Sequence, residues 1–147
     1  MKKKDMQINI RLSGKERALI EKRMKEMGIN FSFAPGYKLK GKNKKEMDMV
    51  VEAKNMAKNA DVAVVFVGLT DEYETEGNDR SHINLPPIHN TLVEEVLKVN
   101  PNTIVVLSGG ASVAMPWADK VPAILNMFLT GQAGGSAVCD VLFGNVN

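Results

Sequence analysis

The sequence predicts an α/β fold, a three-layer α/β/α sandwich built on a mostly parallel sheet. Short apolar segments that suit buried strands alternate along the chain with longer segments in which apolar residues recur at helical spacing. The segment 62–68 is apolar at every position, which is typical of a central strand covered by helices on both faces of a sheet. Strands and helices in alternation imply right-handed crossovers and parallel pairing.

The N-terminal part of the chain predicts a strand and then a helix. Residues 6–12 alternate between apolar and polar side chains, which indicates a half-buried strand, and we expect it at an edge of the sheet. Ser13 and Glu16 have the spacing of a capping box, so a helix is expected to begin there. Gly28 is the kind of residue at which a helix ends.

Between Gly28 and the central strand, the sequence predicts one short strand and one helix. Residues 29–33 alternate again as a strand, and residues 38–45 are rich in lysine and lack apolar periodicity, so they are expected to be an exposed loop. From 46 to 59, apolar residues recur at helical spacing and predict an amphipathic helix.

The second half of the chain repeats the alternation. Pro86 and Pro87 suit the first turn of a helix, which the apolar spacing extends to about Asn100. The remaining predicted elements are a strand at 103–107, a strand at 123–129 and a helix at 135–143.

Length, charge and composition exclude several classes of protein. The 147 residues suit one domain with a buried core. No apolar run is long enough to cross a membrane, and no apolar signal region follows the basic residues 2–4, which favours a cytoplasmic location. Lysines crowd the first third without the aromatic or zinc-binding patterns of nucleic-acid-binding domains. We therefore expect neither a membrane nor a nucleic-acid partner.

The best candidate for a functional site is an acidic loop that follows the central strand. Ligands of open parallel sheets bind at the carboxyl ends of the strands, and the predicted loops there are 69–85, 108–117 and 130–134. The first has five carboxylates and Arg80 within ten residues. Repulsion among carboxylates raises the pKa of at least one and favours a proton donor, whereas an arginine keeps a neighbour such as Asp79 ionised. A solvated loop without a catalytic role is the alternative that the residues leave open.

Other features of the sequence support no cofactor or metal. The glycine-rich residues 108–112 lack the Walker pattern and the dinucleotide fingerprint, which disfavours a flavodoxin-like nucleotide or flavin binder. His82 and His89 are seven residues apart without a clear third ligand, so no metal site is expected. Trp117 is either a core residue or part of a sugar site, and the sequence does not decide between these.

Several stretches together resemble the C-terminal α/β-sandwich domain of glycoside hydrolase family 3, the β-glucosidase family. The resemblance covers residues 29–147, whereas the strand and helix within residues 1–28 match poorly. The family domain opens with a strand. Either residues 6–12 replace that strand, or the sheet lacks it. The matching stretches are 60–68 continuing into 74–80, then 100–107, 115–117 and 131–147, with a weaker match at 34–37.

The resemblance implies retaining hydrolysis of β-glycosidic bonds by two carboxylates through a glycosyl-enzyme intermediate. In the family, a barrel domain supplies the aspartate nucleophile and the α/β-sandwich domain supplies the acid/base glutamate. Motif position gives that role to Glu76, with Glu74 as the alternative. Asp79 and Arg80 are expected to bind substrate or brace the loop.

No barrel domain occurs within these 147 residues. The chain is therefore expected to be a truncated piece or a stand-alone homologue, inactive on a β-glucoside or oligosaccharide unless a barrel domain is supplied in trans. The alternative is a non-catalytic sugar- or protein-binding α/β domain that self-associates through an exposed sheet edge.

Overall fold

The computed structural model describes residues 5–9, 14–38, 46–77 and 79–146. Within these residues, strands and helices alternate as predicted. The elements are β1 (Asp5–Asn9), α1 (Gly14–Glu26), β2 (Asn30–Phe33), α2 (Glu46–Ala57), β3 (Val62–Gly68), α3 (Pro87–Leu97), β4 (Thr103–Ser108), β5 (Ala123–Phe128) and α4 (Gly134–Leu142). The predicted α/β class with its parallel sheet is confirmed.

The five strands form one sheet in the order β2-β1-β3-β4-β5, and every neighbouring pair is parallel. The apolar strand β3 is central, as its composition predicted. Val65, for example, pairs with Asn9 of β1 on one side and with Val105 of β4 on the other. The sheet therefore brings the carboxyl ends of β3, β4 and β5 side by side.

The position expected for the first strand is wrong in one respect. β1 covers Asp5–Asn9 and lies between β2 and β3, so it is an internal strand, and β2 forms that edge of the sheet. Residues 10–13, which include the end of the predicted strand and the proposed helix cap, lie outside the described residues. Alternation along a strand reports which side chains share a face, but it does not report which strands are neighbours.

The helices cover both faces of the sheet. α2 and α3 pack together on one face, and α1 and α4 pack together on the other. Residues of β3 alternate between the two cores: Val65 and Val67 belong to the α2/α3 core, whereas Val64 and Phe66 belong to the α1/α4 core. This explains why β3 is apolar at successive positions. No helix in the described part of the chain is long and apolar enough to cross a membrane.

A buried asparagine connects the end of α2 to the start of β4. The Asn100 side chain is 4% exposed, and its amide group donates hydrogen bonds to the carbonyl oxygens of Ala57 (2.9 Å) and Ala60 (2.8 Å). Its oxygen accepts a hydrogen bond from the Asn102 backbone N–H at 2.9 Å. The opposite end of the sheet from the acidic loop is therefore fixed by side-chain hydrogen bonds to the backbone.

Candidate active site

The acidic loop begins with a tightly constrained backbone at the end of β3. The Leu69 backbone N–H donates to the Ser108 carbonyl at 2.9 Å, and Leu69 itself is buried. A Cβ atom on Gly68 would lie 2.0 Å from the Ser108 carbonyl oxygen, so the close approach of β3 and β4 requires glycine here. The Thr70 carbonyl then accepts hydrogen bonds from Tyr73 and Glu74, which turns the chain.

Glu74 joins the acidic loop to the glycine-rich loop. Its carboxylate oxygens accept the Gly110 backbone N–H at 2.9 and 3.0 Å, and the residue is half-buried. A Cβ atom on Gly110 would lie 2.8 Å from Oε1 of Glu74, so glycine gives the carboxylate access to this N–H. This role of Gly110 was not predicted from the sequence, although two consecutive glycines after a strand are a signal for close backbone approach.

Glu76 lies in a different environment from Glu74. Its side chain is exposed, and it accepts no hydrogen bond and forms no ion pair with any residue that the structure describes. Gly77 follows with φ +87°, a left-handed turn that glycine adopts without strain. The carboxylate of Glu76 is therefore exposed and not held by any residue that the structure describes.

Arg80 makes a second connection between the two loops. Its Nη2 donates to the Ser112 carbonyl at 3.1 Å, while Nη1 is buried without a hydrogen-bond partner among the described residues. Asp79 is exposed and forms no ion pair with Arg80 in this part of the structure. Of these two residues, which were expected to bind substrate or brace the loop, Arg80 forms a side-chain hydrogen bond to a neighbouring segment among the described residues.

Backbone contacts complete the docking of the acidic loop. The Ala114 N–H donates to the Ile83 carbonyl at 2.8 Å, and Asn84 and Ala114 form an isolated parallel bridge. With the Glu74 and Arg80 contacts, the loop is attached to the segment after β4 at three successive places. The structure thus brings two of the predicted strand-end loops together in one surface.

The histidines, Trp117 and the single cysteine lie in different surroundings. His82 is exposed, whereas His89 is buried in α3, and no three His, Cys, Asp or Glu side chains of the described residues group as a metal site would. Trp117 is fully buried and donates its Nε1–H to the Asn90 side chain at 2.9 Å, so it is a core residue. Cys139 is buried in α4, and burial raises the pKa of its thiol.

Comparison with known proteins identifies the family. Residues 5–147 match the family model described as the glycosyl hydrolase family 3 C-terminal domain. The chain is 49% identical over 119 residues to the thermostable β-glucosidase B of Acetivibrio thermocellus, an alignment that covers 81% of this chain and 16% of that protein. It is 45% identical over 100 residues to the probable β-glucosidase I of Aspergillus flavus, covering 68% of this chain and 12% of that protein.

Comparison with solved structures points to the same family. The crystal structure of the family 3 β-glucosidase of Bifidobacterium adolescentis superposes with a TM-score of 0.83 at 33% identity, covering 97% of this chain and 23% of that one. The matched segments are thus small parts of much longer relatives.

The structure is a parallel α/β domain with an acidic loop at the carboxyl edge of its sheet, the edge at which ligands of such sheets bind. The chain belongs to glycoside hydrolase family 3, as its C-terminal domain. The family match begins at residue 5 and so includes β1 and α1, which precede residues 29–147, the range over which the sequence resembles the family.

Proposed function

We propose that this chain supplies the general acid/base of a β-glucosidase-like retaining glycoside hydrolase, and that Glu76 has this role. Its substrate would be a β-glucoside or a β-linked oligosaccharide. The nucleophile would come from a barrel domain, which the family resemblance implies and which these residues do not contain. Relatives of this chain are named β-glucosidases, which supports the substrate class.

The contrast between Glu74 and Glu76 supports the choice of Glu76. Both oxygens of Glu74 are engaged by the Gly110 N–H in a half-buried position, whereas Glu76 is exposed and accepts no hydrogen bond from a described residue. An acid/base must approach the glycosidic oxygen and exchange a proton with it. Glu74 is better suited to hold the loop, and Arg80 assists it through Ser112.

The proposed chemistry follows from two carboxylates on opposite sides of the glycosidic bond. Glu76 would donate its proton to the leaving oxygen while the barrel's aspartate attacks the anomeric carbon. The ionised Glu76 would then accept a proton from water, and that water would displace the aspartate and restore the free sugar. The two carboxyl groups must lie about 5 Å apart, so Glu76 has to project from this domain towards the barrel.

A chimera tests this assignment. The matched 119-residue segment of the Acetivibrio thermocellus β-glucosidase is replaced by that of this chain. Rates are then compared for alkyl and 2,4-dinitrophenyl β-glucosides, because a poor leaving group needs protonation and a good one does not. We expect Glu76→Ala to lower kcat/KM, which reports the first step, by about 10²- to 10⁴-fold on the alkyl glucoside and much less on the dinitrophenyl glucoside. On the dinitrophenyl glucoside kcat should still fall, because the second step has lost its general base. Azide should restore turnover of the dinitrophenyl substrate.

Glu74→Ala is the matched control. Because we assign Glu74 to loop positioning, its loss should reduce both rates by a similar factor, without azide rescue. If the leaving-group dependence and azide rescue instead follow Glu74→Ala, Glu74 is the acid/base and the proposal is wrong. The 147-residue chain alone should hydrolyse neither substrate, and robust turnover by it would contradict the need for a second domain.

An exposed sheet edge favours a second candidate, a domain that associates with proteins. β5 pairs only with β4 among the described strands, and exposed apolar residues lie at its end and directly after it: Phe128 is 63% and Leu129 is 70% exposed. Unpaired edges and apolar patches of this kind promote association. Light scattering over a wide range of concentrations tests this candidate for self-association, and a monomer throughout would argue against it.

A further inference from the structure

A buried aromatic pair lies beneath the point where the acidic loop leaves the sheet. Tyr37, after β2, and His89, in the first turn of α3, have ring centroids 3.9 Å apart. Tyr37 is 4% exposed and His89 is 1% exposed. Neither residue has a part in the proposed chemistry. Burial of two polar aromatic side chains in one place indicates that their polar atoms make specific hydrogen bonds.

Both side chains bind the backbone of β3 near its end. The Tyr37 hydroxyl donates to the Phe66 carbonyl at 3.0 Å, and the Gly68 backbone N–H donates to Nδ1 of His89 at 3.3 Å. Phe66 and Gly68 are alternate residues, so their backbone groups point to the same side of the strand, the side away from β4. The last described pair between β3 and β1 lies further back, at Val65. Tyr37 and His89 thus extend the hydrogen bonding of β3 on this side.

The hydrogen bond also defines the protonation state of His89. A ring nitrogen that accepts an N–H bond has no proton of its own, so the ring is neutral and its proton is on Nε2. Protonation of Nδ1, or loss of the ring, would leave the buried Gly68 N–H without this acceptor. An unsatisfied buried backbone group is costly, so the end of β3 would be expected to move.

A short series of fixed contacts connects Gly68 to Glu76. Leu69 follows Gly68, and its backbone N–H donates to the Ser108 carbonyl of β4. The carbonyl of the next residue, Thr70, accepts hydrogen bonds from the N–H groups of Tyr73 and Glu74. Glu76 follows two residues later. A displacement at Gly68 therefore changes the direction in which the whole loop leaves the sheet.

We propose that His89, supported by Tyr37, is a positioning residue for the acid/base loop. It holds the Gly68 N–H and thereby sets the placement of Glu76 relative to the sugar. The effect on catalysis rests on the function proposed above, whereas the effect on the backbone does not. His89 is thus a buried polar residue that acts on the acidic loop indirectly, through the backbone at the end of β3.

Two variants of His89 test the proposal in the 147-residue chain and in the chimera. His89→Leu keeps an apolar side chain without an acceptor, and His89→Asn places an amide oxygen close to the position of Nδ1. Hydrogen exchange of the Gly68 amide is measured by NMR, together with the tautomer of His89 in the unmodified chain. Val96→Ala, which removes buried volume from the same helix, controls for general loss of stability.

We expect the Nε2-protonated tautomer, and exchange at Gly68 at least about tenfold faster in His89→Leu than in His89→Asn or Val96→Ala. In the chimera, His89→Leu should lower kcat about tenfold with KM changed less than about twofold, and His89→Asn should recover part of the loss. A proton on Nδ1, or exchange at Gly68 unaffected by His89→Leu, would refute the proposal. An unmodified chimera without activity would refute the proposed function, and the exchange data would still decide the role of His89.

Discussion

Gly68 is a position where a single added methyl group should strongly destabilise this domain. A Cβ atom there would lie 2.0 Å from the Ser108 carbonyl oxygen and 2.9 Å from its carbonyl carbon. The closest C···O approach between strands is about 3.3 Å, so β3 and β4 would have to separate by more than about 1 Å. The atoms in conflict belong to the backbone of a paired strand, which cannot rotate away as a flexible side chain can.

The size of the effect follows from three contributions. Overpacking a core costs about 1–3 kcal/mol. Separation of the strands would also weaken the hydrogen bond from Leu69 to Ser108, which contributes about 1 kcal/mol. Alanine restricts the unfolded chain and offsets about 0.4–1 kcal/mol of this cost. The middle values of these ranges sum to about 2 kcal/mol, so Gly68→Ala should lower the free energy of unfolding by about that amount and Tm by about 4–8 °C.

Thermal unfolding followed by circular dichroism measures this change, with Gly131→Ala as the matched control. A Cβ atom on Gly131 would meet nothing within 4 Å, so this variant should melt within about 3 °C of the unmodified chain. Equal Tm values for the two variants would refute the argument that the strands are fixed at Gly68.

Two further predictions concern other parts of the fold. Asn100→Ala should lower the free energy of unfolding by about 2–4 kcal/mol, because three hydrogen bonds to the backbone are lost at a buried site, and urea unfolding measures it. The exposed Asn55→Ala is the control, and an equal loss in both variants would contradict this reasoning. The pKa of Glu95 is lowered from 4.5 to about 2, chiefly by a hydrogen bond from Lys54 and to a smaller extent by one from Lys98. Because the pKa of Glu95 is lower in the folded state, its contribution to stability is present above about pH 4.5 and is lost as the pH falls towards 2. Urea unfolding between pH 2 and 7 should show a weaker acid dependence for Glu95→Gln than for the unmodified chain, and parallel curves would contradict the ion pairs.

The order of the elements was predictable because it depends on local signals. Helical spacing of apolar residues and a glycine after α1 indicated where helices form and end, and β3 was identified as central by its continuous apolar sequence. The neighbours of β1 were not predictable in the same way. Strand pairing depends on residues far apart in the chain, and the alternation of side chains in β1 is the same at an edge and inside a sheet.

The candidate site, too, was predictable where it depends on local sequence and not where it depends on contacts between distant segments. The sequence by itself determined that an acidic loop follows the central strand, and its residues 74–80 resembled those of a glycosidase family. Only the tertiary structure showed that Glu74 and Glu76 lie in different surroundings, because the difference is a hydrogen bond from Gly110, a residue 36 positions away from Glu74. The hydrogen bond from the Gly68 N–H to His89 was likewise not predictable from the sequence, since the two residues lie on different elements. Composition and spacing report what a segment can form alone, whereas hydrogen bonds between segments exist only once the sheet has brought them together.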